Sequence, residues 1–252
     1  NMLEGLIEHL GDVQRPLQDV LLIGCPDRSA RDALTALGKT VTCCDPGARN
    51  AALNGGVRAD ENALPFAESS FDLVISCDTL DSINDLPGAL VLIRRALRPD
   101  GLFLGAFPGA GSLPRLRQVL LHAEGDEARP HIHPQVEVRA AGDLLARTGY
   151  AMPVADVEAL TVRYASLLAL MHDLRGMAHA NAMTRDRTGS LTRETIARAS
   201  LLFQQAADPD GRTAETFSIL YLSGWKPDPS QPRPARRGSG TVSLAEALKP
   251  KG

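Results

Sequence analysis

Residues 60–104 read DENALPFAESSFDLVISCDTLDSINDLPGALVLIRRALRPDGLFL, and this stretch decides the fold. Residues 71–76 are a short apolar run between polar residues, which is typical of a strand covered on both faces. Residues 85–97 have the periodicity of a helix, with Asp85 as its cap and Pro87 in its first turn. A Pro-Asp-Gly turn at 99–101 ends that helix, and residues 102–107 form a second apolar run. A strand, a crossover helix and a parallel strand in this order predict a right-handed α/β unit.

The flanking sequence continues this alternation of strands and helices. The other predicted strands are 20–24, 40–44, 57–59 (weak), 156–164 and 216–224. The other predicted helices are 2–10, 27–37, 48–53, 113–123, 137–147, 166–177 and 192–206. The pattern predicts an α/β fold with a doubly wound sheet that ends in an antiparallel pair, and a helical insertion before the last strand.

Composition excludes several classes of function. With 44% hydrophobic and 23% charged residues, the 252-residue chain matches an ordinary globular protein, and its net charge of −3 gives no reason to expect a nucleic-acid partner. No apolar run reaches the ~20 residues that span a bilayer, and no signal peptide is visible. The four cysteines lack paired metal-ligand spacing, so we expect reduced thiols in a cytoplasmic or matrix-like compartment.

A series of short strings in the first half of the chain resembles a known family. In order, these are Asp60, Leu64-Pro65-Phe66, Ser70-Phe71-Asp72-Leu73-Val74, Asn84-Asp85-Leu86-Pro87, Arg95 and Leu97-Arg98-Pro99-Asp100-Gly101. They resemble the middle of class I S-adenosylmethionine (SAM)-dependent methyltransferases of the type 11 group. The resemblance implies a Rossmann-like seven-stranded sheet, SAM as cofactor, and a ligand crevice at the carboxyl ends of the strands.

Strings in the second half resemble one branch of this family. They are Pro130-His131-Ile132-His133-Pro134, Asp143-Leu144-Leu145, Leu160-Thr161-Val162-Arg163-Tyr164, Asp173-Leu174-Arg175-Gly176-Met177 with Asn181, Gly224-Trp225-Lys226, and residues 231–239. The branch comprises arginine-hydroxylating mitochondrial complex I assembly factors and their bacterial relatives. Malonyl-carrier-protein methyltransferases of biotin synthesis are similar to a lesser degree. The resemblance implies an enzyme that methylates or hydroxylates a protein, with a complex I subunit as the partner.

Nine residues are candidates for binding the cofactor: Gly24, Cys25, Asp45, Pro46, Asp60, Glu61, Asn62, Ser76 and Cys77. The family resemblance assigns Asp45 to the ribose hydroxyls, although an Asp after a strand also caps turns. It assigns the loop at Asp60 to the adenine, although a solvated acidic loop has the same composition. Ser76 and Cys77 would lie below the sulfonium, or serve as small packing residues.

The first loop departs from the family pattern. Members carry an acid in the first strand followed by Gly-Cys-Gly-x-Gly, whereas here Leu22 replaces the acid and Pro26 and Arg28 replace two glycines. Proline removes an amide donor, and an arginine side chain needs space that glycine leaves open. This loop predicts weakened SAM binding and supports an alternative in which the protein is a non-catalytic assembly or binding module. A small-molecule methyltransferase is the third alternative.

Four residues of the second half are candidates for contacting the substrate: His131, His133, Asp173 and Arg175. The two histidines lie on one side of an extended segment as two metal ligands would, but no third ligand is fixed, so we predict no metal site. We expect one methyltransferase-like domain over residues 1–226, with a lid insertion at about 165–206. The Pro- and Arg-rich tail, residues 227–252, is expected to be flexible.

Overall fold

Seven strands form one mixed sheet in the computed structural model, which describes residues 2–24, 26–179, 181, 183 and 190–231. The strands are β1 (Asp19–Ile23), β2 (Thr40–Asp45), β3 (Val57–Arg58), β4 (Phe71–Cys77), β5 (Leu97–Pro108), β6 (Ala151–Tyr164) and β7 (Thr213–Trp225). Their order is β3-β2-β1-β4-β5-β7-β6. Strand β7 runs antiparallel to both of its neighbours, and the other pairs are parallel. The predicted α/β sheet with an antiparallel end is confirmed.

The helices alternate with the strands along the chain. They are α1 (Met2–Gly11), α2 (Ser29–Ala36), α3 (Ala48–Leu53), α4 (Leu86–Ala96), α5 (Pro114–Glu124), α6 (Val138–Arg147), α7 (Leu167–Gly176) and α8 (Arg193–Gln205). Helices α7 and α8 lie between β6 and β7, where the helical insertion is predicted. Whether this insertion acts as a lid stays a prediction, as does the domain boundary at 226. Residues 232–252 of the predicted tail lie outside the described residues.

Two apolar cores cover the two faces of the sheet. Val20 and Leu22 of β1 belong to one core, and Leu21 and Ile23 belong to the other. All four side chains are fully buried. Because alternate residues of a strand point to opposite faces, a strand buried on both sides needs an unbroken apolar run.

The crossover helix α4 begins as the sequence predicts but ends differently. The Asp85 carboxylate accepts a hydrogen bond from the Gly88 amide at 2.9 Å, which caps the helix. The helix ends at Ala96, and the predicted turn at 99–101 lies inside strand β5, where Asp100 has a φ of +61°. The backbone of this segment pairs with Lys226 after β7, a contact that local sequence does not reveal.

One part of the family-like sequence holds together the amino ends of the central strands, at the end of the sheet opposite the predicted crevice. The Asp72 carboxylate accepts hydrogen bonds from the Gln18 and Asp19 amides at 3.0 and 2.9 Å. Arg98 donates to both Asp72 and Asp19, at 2.7 and 2.8 Å. Hydrogen bonds to the ionised form lower the pKa of Asp72 against the opposing effect of burial. These residues lie at the amino ends of the strands, so their role is structural.

No helix within the described ranges is both long and apolar enough to cross a bilayer.

Candidate functional site

The predicted crevice begins at Gly24, directly after β1. This glycine has a φ of +80°, and an added Cβ would collide with the Cys77 carbonyl oxygen and lie 2.8 Å from Cγ2 of Thr79. Only a residue without a side chain fits between the ends of β1 and β4. Cys25, another predicted cofactor residue, lies outside the described residues.

Asp45 ends β2 at the same edge of the sheet and is buried. Its Oδ1 accepts a hydrogen bond from the Gly47 amide at 2.7 Å, so it does cap the turn into α3. The carbonyl oxygen of Pro46, the next predicted residue, accepts a hydrogen bond from Nε of Arg58 at 3.3 Å. Binding of a ribose by Asp45 stays a prediction.

The acidic loop after β3 divides into one partly exposed and one buried carboxylate. Oδ1 of Asp60 accepts from the Asn62 amide at 2.9 Å, which orders the loop. Glu61 is buried and accepts hydrogen bonds from the hydroxyl groups of Thr79 and Ser76. Burial raises the pKa of Glu61. Glu61 therefore joins this loop to the end of β4, and Asp60 is the better candidate for contacting a ligand.

Cys77 ends β4 as an uncharged group. Burial, followed by the neighbouring Asp78 carboxylate, raises the pKa of the thiol to about 12. At neutral pH the thiol stays protonated and is a poor nucleophile. Cys77 is therefore not a candidate for covalent chemistry, and its place below the sulfonium stays a prediction.

The altered first loop is held at the surface. Asp27 accepts hydrogen bonds from the amide and the hydroxyl of Ser29, at 2.8 and 2.5 Å. Arg28 is exposed, and its Nε donates to the Leu53 carbonyl oxygen at the carboxyl end of α3, at 3.1 Å. The guanidinium is thus tied to α3, which answers the steric objection drawn from the sequence.

A cavity of about 270 Å³ opens beside the crevice. Asp81, which comes after β4, and Pro108, which ends β5, line this cavity. Residues of α5 and α7 complete its walls. Its walls are mostly apolar, and the apolar residues that line it include Leu113, Leu116, Leu120, Met171, Leu174 and Phe217. An apolar chamber with few polar groups is typical of a small-ligand or side-chain pocket.

Asp81, His133 and His179 are among the polar residues that line this cavity, and Asp78 pairs with His179. Nε2 of His133 lies 3.1 Å from Oδ2 of Asp81. Nδ1 of His179 lies 3.3 Å from the same oxygen, and its Nε2 lies 2.8 Å from Oδ1 of Asp78. The side chains of Asp81 and His179 are 6% and 7% exposed, so these ion pairs are shielded from water.

The charges of this cluster stabilise each other. Burial opposes the charge on His179, but Asp78 and Asp81 outweigh it and raise the pKa of His179 to about 10. Burial likewise opposes the charge on Asp81, yet His133 and His179 lower the pKa of Asp81 to about 2. His179 is therefore an imidazolium at neutral pH.

The structure places three of the four predicted substrate residues in the wall of the cavity and the fourth outside it. His131, His133 and Arg175 line the cavity. Nε2 of His131 is 2.6 Å from Oε1 of Glu124, which ends α5. Asp173 instead accepts a hydrogen bond from the Tyr164 hydroxyl at 2.7 Å, as a structural contact.

The sequence pattern places residues 76–78, and therefore Asp78, around the predicted crevice, but it did not single out Asp81 or His179. No spacing marks them, because His179 lies after α7, far along the chain from the end of β4. Within the part of the chain that the structure describes, no group of three or more His, Cys, Asp or Glu side chains has the arrangement of a metal site.

Comparison with known proteins identifies relatives for most of the chain. A family model described as "Methyltransferase domain" matches residues 21–105. The chain is 43% identical over 198 residues to "Arginine-hydroxylase NDUFAF5, mitochondrial" of Danio rerio, covering 77% of this chain and 61% of that protein. It is 30% identical over 202 residues to "Malonyl-[acyl-carrier protein] O-methyltransferase" of Gallionella capsiferriformans, covering 78% and 67%. The chain thus spans about six tenths of the length of the hydroxylase that it matches.

Solved structures support the fold. The YcgJ protein of Bacillus subtilis superposes with a TM-score of 0.59 at 14% identity, covering 90% of this chain and 98% of the other. At this level of identity the likeness concerns the fold alone.

Proposed function

Because the chain belongs to the class I SAM-dependent methyltransferases, we propose that it binds SAM and hydroxylates an arginine side chain of a protein. The observation that carries this proposal is the apolar cavity that ends in the buried Asp81. A guanidinium needs a carboxylate partner, and its methylene stem needs apolar walls. The Danio rerio relative is named an arginine-hydroxylase, which supports the same substrate class.

The residues of the crevice fit SAM. Gly24 keeps the end of β1 without a side chain, while Asp45 at the end of β2 and Asp60 after β3 supply carboxylates for the ribose and the adenine. When bound, SAM would supply a transferable methyl group for the alternative reaction, methylation, whereas hydroxylation takes its oxygen atom from dioxygen. The chain's own contribution is to hold the two ligands in fixed relative positions, because Asp78 and Asp81 directly follow the β4 strand that borders the crevice.

The partner and the compartment belong to the same proposal. We infer a subunit of respiratory complex I as the substrate protein, on the resemblance of the second half of the chain. A cytoplasmic or matrix-like compartment agrees with this partner and with the free thiol of Cys77.

SAM binding is tested by calorimetric titration of the unmodified protein and of Asp45→Asn. We expect saturable binding by the former and at least about tenfold weaker binding by the latter, because a neutral amide is a poorer acceptor for ribose hydroxyl groups. Asp143→Asn is the matched control, since Asp143 is an exposed carboxylate on α6, outside the predicted crevice. If the unmodified protein does not bind SAM and the Pro26→Gly, Arg28→Gly double variant does, the altered loop closes the site. The assembly-module alternative is then correct.

The reaction is tested with arginine-containing peptides from complex I core subunits. Hydroxylation converts a C–H bond to C–OH, so dioxygen and a two-electron reductant are supplied together with SAM. Mass spectrometry should show the gain of one oxygen on an arginine. A gain of one CH₂ group would instead identify a protein methyltransferase, and no change with SAM bound would favour the assembly module.

A further inference from the structure

We propose that Asp78 and Asp81 form the seat for the substrate guanidinium, and that the side chain of His179 occupies this seat until the substrate displaces it. The inference rests on the proposed function, because it takes arginine as the substrate. It adds the residues that recognise the cation and a competition between the substrate and the protein's own imidazolium.

The geometry of His179 is that of a stand-in for a guanidinium. Its two ring nitrogens lie 2.8 Å from Oδ1 of Asp78 and 3.3 Å from Oδ2 of Asp81. Nε2 of His179 and Oδ1 of Asp78 are within ion-pair distance but are not aligned for a hydrogen bond, whereas the wider fork of a guanidinium can donate to two carboxylates. The two carboxylates thus already have the spacing that bridges a planar cation.

Charge balance favours an exchange over simple addition. Leaving the buried carboxylate of Asp81 and the partly buried carboxylate of Asp78 without a cation is costly, and adding a second cation beside His179 would place like charges together. Exchange of the imidazolium for a guanidinium keeps the net charge of the seat unchanged. His133, which pairs with Asp81 from the segment before α6, can stay in place during the exchange.

The cavity explains why arginine would replace histidine. The apolar walls from α5, α7 and Phe217 extend from the seat and can cover the methylene groups of a long side chain. Arg175 also lines the cavity, but it is exposed, so solvent screens its charge. His131, on another wall, is paired with Glu124.

The exchange makes arginine binding depend on pH. In the seat the pKa of His179 is about 10, and once displaced into water it returns towards the ordinary value of 6.5. Between these two values the displaced imidazole loses its proton, so binding of the substrate releases one proton. The association constant should therefore rise with pH, by up to about tenfold per unit. The other charged groups facing His179 are Asp78, Asp81, His133 and Arg175.

The test measures binding of N-acetyl-arginine amide and its uncharged citrulline analogue by NMR titration at pH 7 and pH 8, without SAM or oxidant. We expect arginine to bind better than citrulline, and its affinity to rise about fivefold to tenfold between the two pH values. His179→Gln should bind arginine amide at least about fivefold more tightly at pH 7, with no pH dependence. Asp81→Asn should lose at least about tenfold.

Glu124→Gln is the matched control, because it alters the other buried carboxylate–histidine pair of the cavity and should leave arginine affinity within about twofold. Equal binding of citrulline, or unchanged affinity and pH dependence in His179→Gln, overturns the proposal even if Asp81→Asn fails to fold. Binding with the expected pattern but without any hydroxylation would refute the proposed reaction and leave the seat intact. Full hydroxylation by Asp81→Asn with an unchanged KM would refute the seat and leave the proposed reaction intact.

Discussion

Replacing Gly24 by Ala should lower the free energy of unfolding by about 2–5 kcal/mol and abolish SAM binding. Two effects add. A left-handed φ of +80° costs an L-residue roughly 1–2 kcal/mol. In addition, the new methyl group would collide with the carbonyl oxygen of Cys77, and relieving that collision must shift β1 relative to β4. Urea denaturation and calorimetric SAM titration of the purified variant measure the two results.

Gly38→Ala is the control that separates the two effects. Gly38 has a similar φ of +75° in the turn after α2, but no other described atom lies within 4 Å of the position of its Cβ. This variant should lose only the conformational term of about 1–2 kcal/mol and keep SAM binding. Equal losses of stability in both variants would show that the close approach of β1 and β4 at the crevice is not important.

Replacing Glu215 by Ala should cost about 2–4 kcal/mol of stability and weaken binding of arginine amide. Glu215 is buried on β7, and its carboxylate accepts hydrogen bonds from the amides of Arg115 and Leu116 at 3.1 and 2.7 Å. These amides belong to the first turn of α5, whose preceding residue Leu113 contributes no side-chain cap. Without Glu215 both amides lose their acceptor in a buried place, and the helix that carries the cavity residue Leu116 becomes displaced or frayed.

Glu215→Gln is the matched variant, because a side-chain carbonyl of the same length can still accept from one amide. We expect it to lose about 1 kcal/mol and to keep most of its arginine binding. The measurements are denaturant unfolding and the NMR titration described above. A loss of stability in Glu215→Ala no larger than in Glu215→Gln would show that the first turn of α5 does not depend on this acceptor.

The first loop shows where a sequence pattern and a structure give different information. The replacement of glycines by Pro26 and Arg28 predicts a blocked site, because a pattern records only which side chain is present. The structure shows that Arg28 is exposed and bonded to the Leu53 carbonyl. Whether SAM binds therefore depends on the remaining backbone of the loop, which the titration tests.

The sequence by itself determined the fold, because its signals act over short distances. The apolar run of β1, the Asp85 cap of α4 and the alternation of strands and helices follow from burial and from local hydrogen bonds. These forces operate between neighbours in the chain, so they can be read from consecutive residues.

Only the tertiary structure decided the polar lining of the cavity. Asp81 and His133 are 52 positions apart, and Glu215 caps an amide 99 positions away. No local pattern requires such pairs, since they arise when β4, α5 and β7 pack together and exclude water from charged groups. The same packing places Asp72, part of the family-like sequence, at the amino ends of the strands, where it bonds to the Gln18 amide and to Arg98. Sequence therefore predicted the crevice, and packing decided which charges meet at the carboxyl end of β4.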